Sequence, residues 1–310
     1  MHVKILGSAA GGGFPQWNCG CANCSSLRAG KFHGKARTQT QVAVSHQGGS
    51  WFLVGASPDL RTQIEGTPEL HPCDGGRQSP IAGLVLASAD LDHVLGLFLL
   101  RELQPLRIYA AASILRILRE ENSMFRMLNR ASNQAVWSEI RPRQEFPLLS
   151  AEGIDSGLRC EPLILGSGYP AYVAQERAAT LSPSEALLGL ILESESGGRL
   201  AFMPAVPRLD DALLEHLEST DVLLFDGTFW SDDELIRVRG GGGQTAREMG
   251  HVPVSSQDGS LNSLAALRRP RKIFLHVNNT NPILNEAGPE FRAVREAGWE
   301  VAEDGWQFEL

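Results

Sequence analysis

The sequence lacks any long apolar run. Its longest purely apolar stretch, residues 94–100, has seven residues, well short of the ~20 that a membrane-spanning helix needs. The segment after Met1 turns directly into strand-like, glycine-rich sequence without the apolar core of a signal peptide, so we expect a cytoplasmic protein with no membrane span. A formal net charge of −8 argues against a general nucleic-acid binder, whose surface is normally basic.

Disorder is also excluded, because charged residues make up only 21% of the chain and hydrophobic residues 43%. Such a chain can bury a substantial core. Short β-branched runs bounded by Gly, Pro, Ser or Asp predict strands, and patterns with a period of 3.6 residues predict helices. The predicted strands are 3–6, 41–45, 51–54, 81–87, 158–165, 188–193, 199–203, 221–225 and 272–276, and the predicted helices are 93–103, 112–119, 209–217, 260–267 and 289–297. No repeat or low-complexity linker divides the chain, so we expect a single domain over residues 1–310, with helices packed outside strand layers.

Cysteine is scarce, and its placement argues against a disulfide framework. There are five cysteines, and three of them, Cys19, Cys21 and Cys24, lie within six residues. An odd total with this close spacing is more typical of a metal site in a chain with no export signal. Three sulfurs can surround one tetrahedral zinc ion, and sites rich in thiolates are mostly structural. A metal-free loop of thiols is the alternative.

Arginine is concentrated in one segment, 101–143, which carries eight arginines against four glutamates. A solvated helical surface is the simpler interpretation. The alternative is a docking face for an acidic peptide or a small acid.

The stretch 81–103 has the strongest chemical signal. A buried strand runs into two carboxylates and an imidazole, Asp90, Asp92 and His93, and an apolar helix follows at once. In an extended chain Asp90 and Asp92 point the same way, because side chains alternate with a period of two. A helix N-terminus favours one Asp as a cap, and this run exceeds what a cap needs. Such ligands crowded at a strand end favour a cation between them.

Two later strand ends carry further candidate ligands, Asp226 and His276. Each alone has an ordinary explanation, since Asp-Gly is a turn dipeptide and a histidine at a strand end is commonly a surface residue. Polar ligands at three strand ends together predict a site presented by loops on a rigid sheet.

These motifs resemble the metallo-β-lactamase superfamily, whose signature is His-x-His-x-Asp-His after a buried strand, with a later Asp and a final His at strand ends. The matching positions here are Ser88, Asp90, Asp92, His93, Asp226 and His276. The resemblance implies an α/β fold, the four-layer αββα sandwich of that superfamily.

The chain is more similar still to the pyrroloquinoline quinone (PQQ) biosynthesis protein B family. The segments that carry this resemblance are QWNCGCANC (16–24), ASPDLR (56–61), MGHVP (249–253) and HVNNTNP (276–282). They span nearly the whole chain. The resemblance implies a role in making PQQ.

Departures from the superfamily pattern imply one metal ion rather than two. Hydrolytic members hold their first metal with the two leading histidines and a third from a middle strand. Here those positions are Ser88, Asp90 and a segment near 166–168 without histidine. The ligands that remain for the second metal are Asp92, His93, Asp226 and His276. Histidines with carboxylate and open positions favour non-haem Fe(II) that activates O2, and a two-metal hydrolase is disfavoured.

The resemblance also gives roles to residues outside this set. His251 occupies a position beside the active site of related proteins, where an imidazole suits proton transfer near neutrality; a structural role in a loop is the alternative. Asp90 is the second catalytic candidate, and it would complete or tune the metal site. In a related phosphodiesterase family a histidine three residues past the last catalytic histidine is the fourth ligand of the cysteine site, and that position here is Asn279.

Cys73 and His33 are the alternatives to Asn279 as the fourth ligand. We expect structural Zn(II) at this site to stiffen the strand end that carries His276 without joining the chemistry.

The family resemblance implies a non-haem iron-dependent hydroxylase. It would add oxygen from O2 to the tyrosine ring of a small amino-acid-derived substrate, the cross-linked Glu–Tyr unit cut from a precursor peptide. Arginines of the 101–143 segment are candidate anchors for this anionic substrate, and other PQQ biosynthesis proteins are candidate partners. The alternatives are a non-catalytic carrier that assists transport of PQQ or its precursor to the periplasm, and a degenerate zinc hydrolase.

Overall fold

The computed structural model describes residues 1–73, 75–132 and 134–310. The chain forms two compact units. The first comprises Met1–Leu6, Gln41–Gly198 and Gly305–Leu310, and the second comprises Gly7–Thr40 and Arg199–Asp304. Within the described ranges, no helix is both long and apolar enough to cross a membrane.

Strands alternate with short helices along the chain. The strands are β1 (His2–Gly7), β2 (Gln41–Ser45), β3 (Trp51–Val54), β4 (Ile81–Val85), β5 (Leu106–Ala111), β6 (Ala135–Ile140), β7 (Phe146–Leu149), β8 (Asp155–Gly166), β9 (Leu187–Ser194), β10 (Arg199–Met203), β11 (Val222–Asp226), β12 (Arg271–Leu275), β13 (Trp299–Val301) and β14 (Gln307–Glu309). The α-helices are α1 (Ala22–Arg28), α2 (Leu60–Glu65), α3 (Leu91–Val94), α4 (Ala112–Arg116), α5 (Gln175–Ala178), α6 (Asp211–Glu218), α7 (Glu234–Val238), α8 (Ser260–Ser263) and α9 (Pro289–Glu296).

The first unit is built on a mixed sheet with the strand order β14-β1-β2-β3-β4-β5-β6. The strands from β3 to β6 are parallel, and β1–β14 and β2–β3 are antiparallel pairs. Every residue of β2 and β3 is buried, which explains why β3 is apolar throughout and the centre of β2 is three consecutive apolar residues rather than an alternating pattern. The same unit contains the antiparallel succession β7-β8-β9.

The second unit contains four parallel strands in the order β10-β11-β12-β13. Its core centres on Trp299, whose ring stacks on Phe274 with the centroids 4.1 Å apart and meets the edge of Phe225 at 6.1 Å. Since the carboxyl ends of parallel strands meet at one edge of a sheet, the last residue of β11, Asp226, and the residue after β12, His276, lie at the same edge. The pairing of Asp226 with Leu275 fixes this placement.

Three strand predictions, 41–45, 51–54 and 199–203, match the structure residue for residue. The helix predicted over 93–103 is wrong: α3 ends at Val94, a 3₁₀ segment covers Leu95–Leu100, and residues 101–103 are not helical. Close packing explains the change, because the Gly96 N–H donates to the Ala56 carbonyl at 2.8 Å instead of continuing a regular helix.

The arginine-rich segment 101–143 is not a helical surface throughout, as its simpler interpretation required, because it contains β5 and β6. The Arg107 guanidinium is partly buried and donates to the Ser150 carbonyl and the Ser138 hydroxyl, both at 2.9 Å. Arg107 therefore has a structural role.

Gly96→Ala is expected to destabilise the first unit. A Cβ at this position would lie 2.2 Å from the Ser57 carbonyl oxygen and 2.8 Å from the Ala56 carbonyl. Because both obstacles are backbone, relieving the overlap requires a backbone shift, and we expect a loss of roughly 2 to 3 kcal/mol in the free energy of unfolding. Urea denaturation measures it. Gly49→Ala is the control, because a Cβ there meets nothing within 4 Å, and equal stability of the two variants would contradict the prediction.

Candidate metal centres

The segment after β4 carries the first group of predicted site residues. Its backbone is anchored where the Leu188 N–H donates to the Ala87 carbonyl at 2.9 Å. Asp90 precedes α3, and Asp92 lies in the first turn of that helix. The prediction that Asp90 and Asp92 point the same way from an extended chain is therefore wrong, because the helix begins between them.

Ser88 and Asp90 bind each other. The Ser88 hydroxyl donates to Asp90 Oδ2 at 2.7 Å, and the Asp90 N–H donates back to the Ser88 oxygen at 3.2 Å. The Tyr172 hydroxyl donates to the intervening Ala89 carbonyl at 2.6 Å. Burial raises the pKa of Tyr172 to about 12, with smaller contributions from the charges of Asp90 and Glu121. The two positions that are histidines in hydrolytic relatives thus form a hydrogen-bonded pair here.

His93 is buried, and its backbone carbonyl accepts the Ala56 N–H at 2.7 Å. Its Nε2 lies 3.9 Å from Asp92 Oδ2. Asp92 and His93 are therefore neighbouring donors within the first unit, one partly exposed and one buried.

A second group of donors lies wholly within the second unit. Asp226, His251 and His276 are all buried, and each offers a ligand atom within 4.8 Å of the other two. The imidazoles of His251 and His276 are nearly parallel, with centroids 5.6 Å apart and planes at 22°. Imidazole and carboxylate are the donor types of a non-haem Fe(II) site, so the chemistry of this group fits such a metal.

Asp226 is the hub of this cluster. Its Oδ2 accepts the Val206 N–H and His251 Nδ1–H, both at 2.8 Å, and its Oδ1 accepts the backbone N–H and the hydroxyl of Thr228 at 3.1 and 2.6 Å. Burial alone would raise the pKa of Asp226, but the charge and hydrogen bond of His251, together with the Thr228 hydroxyl, hold the pKa below its usual range.

Four donors fill the four acceptor positions of the Asp226 carboxylate. Direct ligation of a cation by Asp226, as the sequence predicts, would therefore displace one of them. Its role as a ligand stays a prediction.

His276 has an unusual backbone conformation. Its φ is +57°, in the left-handed region that few residues other than glycine adopt. The backbone on both sides of His276 is held by neighbours: the Gly227 N–H donates to the Leu275 carbonyl at 2.8 Å, and the Val277 N–H donates to the Ser8 carbonyl at 3.0 Å. Backbone strain of this kind persists only where the surrounding contacts fix the conformation, and it is found most often at functional sites.

The three cysteines of the N-terminal run form a third group. Their sulfurs lie within 4.8 Å of one another, because Cys21 caps α1 and Cys24 lies in its first turn. The Asn279 amide nitrogen lies over all three, 3.1 Å from the Cys19 sulfur, 3.3 Å from Cys24 and 3.7 Å from Cys21. The structure thus brings Asn279 to the cysteines; its role as a ligand remains a prediction.

The thiols of this cluster titrate differently. Burial, with smaller contributions from the neighbouring thiols Cys19 and Cys24, raises the pKa of Cys21 to about 11. Burial also acts to raise the pKa of Cys19, but the hydrogen bonds of Cys21, Cys24 and Asn279 outweigh it and lower the pKa. Since thiolate is the form that binds metal, three crowded sulfurs fit a soft cation such as zinc, which offsets their repulsion.

One loop, 278–281, joins the cysteine cluster to the Asp226 cluster. Asn23 Nδ2 donates to the Asn279 and Asn281 carbonyls at 3.2 and 3.0 Å. The Asn281 amide donates to the Gly227 and Thr228 carbonyls at 2.8 and 3.2 Å. The loop that follows His276 is thereby tied on one side to α1 and on the other to the segment after β11.

Glu234 anchors the same loop, and sequence reasoning missed it, as it missed Thr228. Glu234 is buried, accepts the Thr280 hydroxyl at 2.5 Å, and accepts the Trp230 N–H at 2.6 Å. In the sequence it is simply an acidic residue in a helical first turn, and Thr228 is simply the residue after an Asp-Gly turn. No local signal distinguishes either from a surface residue.

Glu234→Gln is expected to remove a pH dependence of stability. Burial raises the pKa of Glu234 to about 7 from an ordinary value of 4.5. Between these two pKa values the folded protein keeps the Glu234 proton, whereas the unfolded chain releases it. The stabilisation of the folded state by this proton is therefore complete below pH 4.5 and is lost as the pH rises to about 7. Relative to the variant, the wild type should lose roughly 3 kcal/mol of unfolding free energy from pH 4.5 to pH 8.

Urea denaturation of both proteins across this range measures the difference between them. A difference that does not change with pH would contradict the prediction.

Comparisons with known proteins show the family to which this chain is similar. A family model described as the Beta-lactamase superfamily domain matches residues 50–277. The chain is 42% identical over 309 residues to coenzyme PQQ synthesis protein B of Methylobacterium sp. (strain 4-46), covering 98% of each chain. It is 37% identical over 310 residues to the protein of that name in Acinetobacter baumannii (strain ACICU), covering 100% of both.

Among solved structures, the crystal structure of Zn²⁺-bound PqqB from Methylobacterium extorquens matches with a TM-score of 0.90 and 39% identity over 100% of both chains. These matches confirm the metallo-β-lactamase fold expected from the sequence.

Proposed function

The chain belongs to the coenzyme PQQ synthesis protein B family of the β-lactamase superfamily, and on that premise we propose that it acts in the biosynthesis of PQQ. We propose further that it is an Fe(II)- and O2-dependent hydroxylase. Its substrate would be the tyrosine ring of the cross-linked Glu–Tyr precursor.

The observation that carries the proposal is the approach of a buried carboxylate and a buried imidazole, Asp226 and His276, at one sheet edge, with His251 beside them. They offer nitrogen and oxygen donors of the kind that hold non-haem iron. The proposed ligands remain those predicted from the sequence: Asp92, His93, Asp226 and His276. When bound, Fe(II) supplies the electron transfer that lets O2 react with an aromatic ring.

The residues of the chain supply orientation and proton transfer. His251 Nδ1–H donates to Asp226, so the lone pair of His251 lies on Nε2, where it can accept the proton released from the ring carbon or the phenol. Asp226 stabilises the imidazolium that results. Burial of both residues keeps bulk water away from this proton.

The overall reaction balances only with a reductant. One oxygen atom of O2 enters the ring C–H bond as a hydroxyl group, and the other leaves as water after taking up two electrons and two protons. A small external two-electron donor therefore belongs in the assay.

The Ser88–Asp90 hydrogen bond supports an oxygenase over a two-metal hydrolase. The hydrolytic mechanism needs a second cation that clamps the attacking and leaving oxygens. A serine hydroxyl paired with a carboxylate at 2.7 Å replaces the imidazoles that such a cation requires. We retain Asp90 as a catalytic candidate that tunes the site.

The test is anaerobic loading with Fe(II), followed by the cross-linked Glu–Tyr substrate, a reductant and isotopically labelled O2. We expect a product that contains one labelled oxygen, and His93→Ala should abolish it. Absence of product with the wild type would overturn the hydroxylase. Tight binding of PQQ without turnover would then favour the carrier, and zinc-dependent cleavage of phosphodiesters or lactams would favour the hydrolase.

A further inference from the structure

We propose that Thr228 is a positioning residue that fixes the imidazole of His276 in its Nδ1–H form, through a hydrogen-bond relay from His276 through Thr228 to Asp226. The consequence for metal binding rests on the proposed function, because it concerns His276 as a ligand. The relay itself does not depend on a metal.

The relay is short and buried. Thr228 is 3% exposed, and its hydroxyl oxygen lies 2.6 Å from Asp226 Oδ1, 2.9 Å from His276 Nδ1 and 3.0 Å from the His276 carbonyl oxygen. A single hydroxyl proton must be shared among these three contacts.

The shortest contact decides where the hydroxyl proton lies. Three N–H donors, from Val206, His251 and Thr228, point at the other acceptor positions of Asp226. Donors of this kind favour the ionised carboxylate, which has no proton to give. Two oxygens 2.6 Å apart without a proton between them would repel strongly, and this distance is typical of an O–H donor facing a carboxylate. The Thr228 hydroxyl therefore donates to Asp226.

The direction of the second bond follows. With its proton committed to Asp226, the Thr228 oxygen can only accept from His276 Nδ1 at 2.9 Å. Nδ1 of His276 thus carries the hydrogen, and the lone pair lies on Nε2, the form that an imidazole needs to bind a metal through Nε2. One carboxylate thereby orients two imidazoles: His251 directly, and His276 through a hydroxyl.

The backbone places the Thr228 hydroxyl there. Gly227 separates Thr228 from Asp226, and a Cβ on Gly227 would lie 2.9 Å from the Phe274 Cβ and 3.1 Å from the Leu275 carbonyl oxygen. The turn is therefore pressed against β12, the strand that ends beside His276. The Asn281 amide holds the turn from the other side through the Gly227 and Thr228 carbonyls.

The substitution that tests the relay is Thr228→Val, which keeps the shape of the side chain and removes the hydroxyl. Thr228→Ser restores the hydroxyl without the methyl group. Thr220→Val is the matched control, because Thr220 is also a buried threonine of the second unit and its hydroxyl donates to the Leu217 carbonyl at 2.7 Å, away from the cluster. Thermal unfolding of each variant establishes that it folds.

The first measurement is the tautomer of His276 in metal-free protein, read from the long-range ¹⁵N–¹H correlations of its ring. We expect the Nδ1–H form in the wild type, in Thr228→Ser and in Thr220→Val, and a shift towards the Nε2–H form in Thr228→Val. The same Nδ1–H signature in Thr228→Val would overturn the proposal, whether or not the protein proves to be a hydroxylase.

The second measurement is affinity for Co(II), followed by its visible absorption bands after the cysteine site has been filled with Zn(II). We expect Thr228→Val to bind Co(II) about 10- to 100-fold more weakly, the usual effect of losing a residue that orients a metal-binding histidine, and Thr228→Ser to recover most of this loss. Wild-type affinity in Thr228→Val would contradict the role of the relay in metal binding. No Co(II) binding by the wild type would instead count against the proposed metal centre and leave the tautomer result standing.

Discussion

Cys24→Ser is expected to abolish the zinc binding predicted for the N-terminal cysteines and to destabilise the second unit. Cys24 is fully buried at the start of α1 and lies beneath the Asn279 amide. A serine hydroxyl is a poor zinc ligand beside two thiols, so elemental analysis should show about one zinc fewer per chain. We expect the free energy of unfolding to fall by at least about 3 kcal/mol. This is a small part of the roughly 10 to 16 kcal/mol of binding free energy that structural zinc provides in zinc-finger peptides.

Cys73→Ser is the control for this substitution, because Asn279, and not Cys73, contacts the three grouped sulfurs among the residues that the structure describes. Cys73 is exposed, and its sulfur lies 3.6 Å from the His71 carbonyl. It should leave zinc content and stability unchanged. Undiminished zinc in Cys24→Ser, or equal losses in both variants, would refute zinc binding by the N-terminal cysteines.

His276→Ala is expected to reduce formation of the hydroxylated product by more than about a hundredfold. Removing a residue that only orients a metal ligand usually costs about 10- to 100-fold in activity or metal affinity, and removing the ligand itself should cost more. The substitution removes the imidazole next to His251 and leaves the Thr228 hydroxyl without its nitrogen partner. Single-turnover assays of the iron-loaded protein measure the effect, and iron analysis should show a matching loss of metal.

Backbone strain complicates this substitution, since alanine at a φ of +57° is itself unfavourable. His276→Asn separates the two effects, because asparagine tolerates left-handed φ values better than most residues. We expect it to regain stability but not activity. His216→Ala, on the outer face of α6, controls for the loss of a histidine elsewhere in the unit. Activity within a few-fold of the wild type in His276→Asn would sink the proposed role of His276.

Continuous burial is the property that sequence reasoning detected best. The strands 41–45, 51–54 and 199–203 were predictable because nearly all of their residues are buried, which leaves an uninterrupted apolar run. β5 and β6 were missed because charged residues interrupt them. Arg107 in β5 turns its guanidinium to the Ser150 carbonyl and to the Ser138 hydroxyl of β6, contacts that only the fold supplies.

The candidate metal ligands could be predicted from the sequence where they stand directly at the ends of strands. Asp226 and His276 stand at the ends of neighbouring parallel strands, and the apolar runs before them make that visible in the sequence. The contacts among the side chains of the site could not be predicted from the sequence. His251 reaches Asp226 across 25 residues, and Thr228 and Glu234 acquire their importance only through burial, which brings a hydroxyl or carboxylate to partners far along the chain.

The pairing of β11 with β12 makes the second unit far more vulnerable to changes of length than of composition. Asp226 faces Leu275 across the ladder, and successive side chains of a strand point to opposite faces. Deleting or inserting a single residue within 222–226 or 271–275 would turn Asp226 or His276 away from its counterpart, even if every apolar residue were kept. The lengths of these two strands are therefore tied to the chemistry more strictly than the identities of their apolar residues.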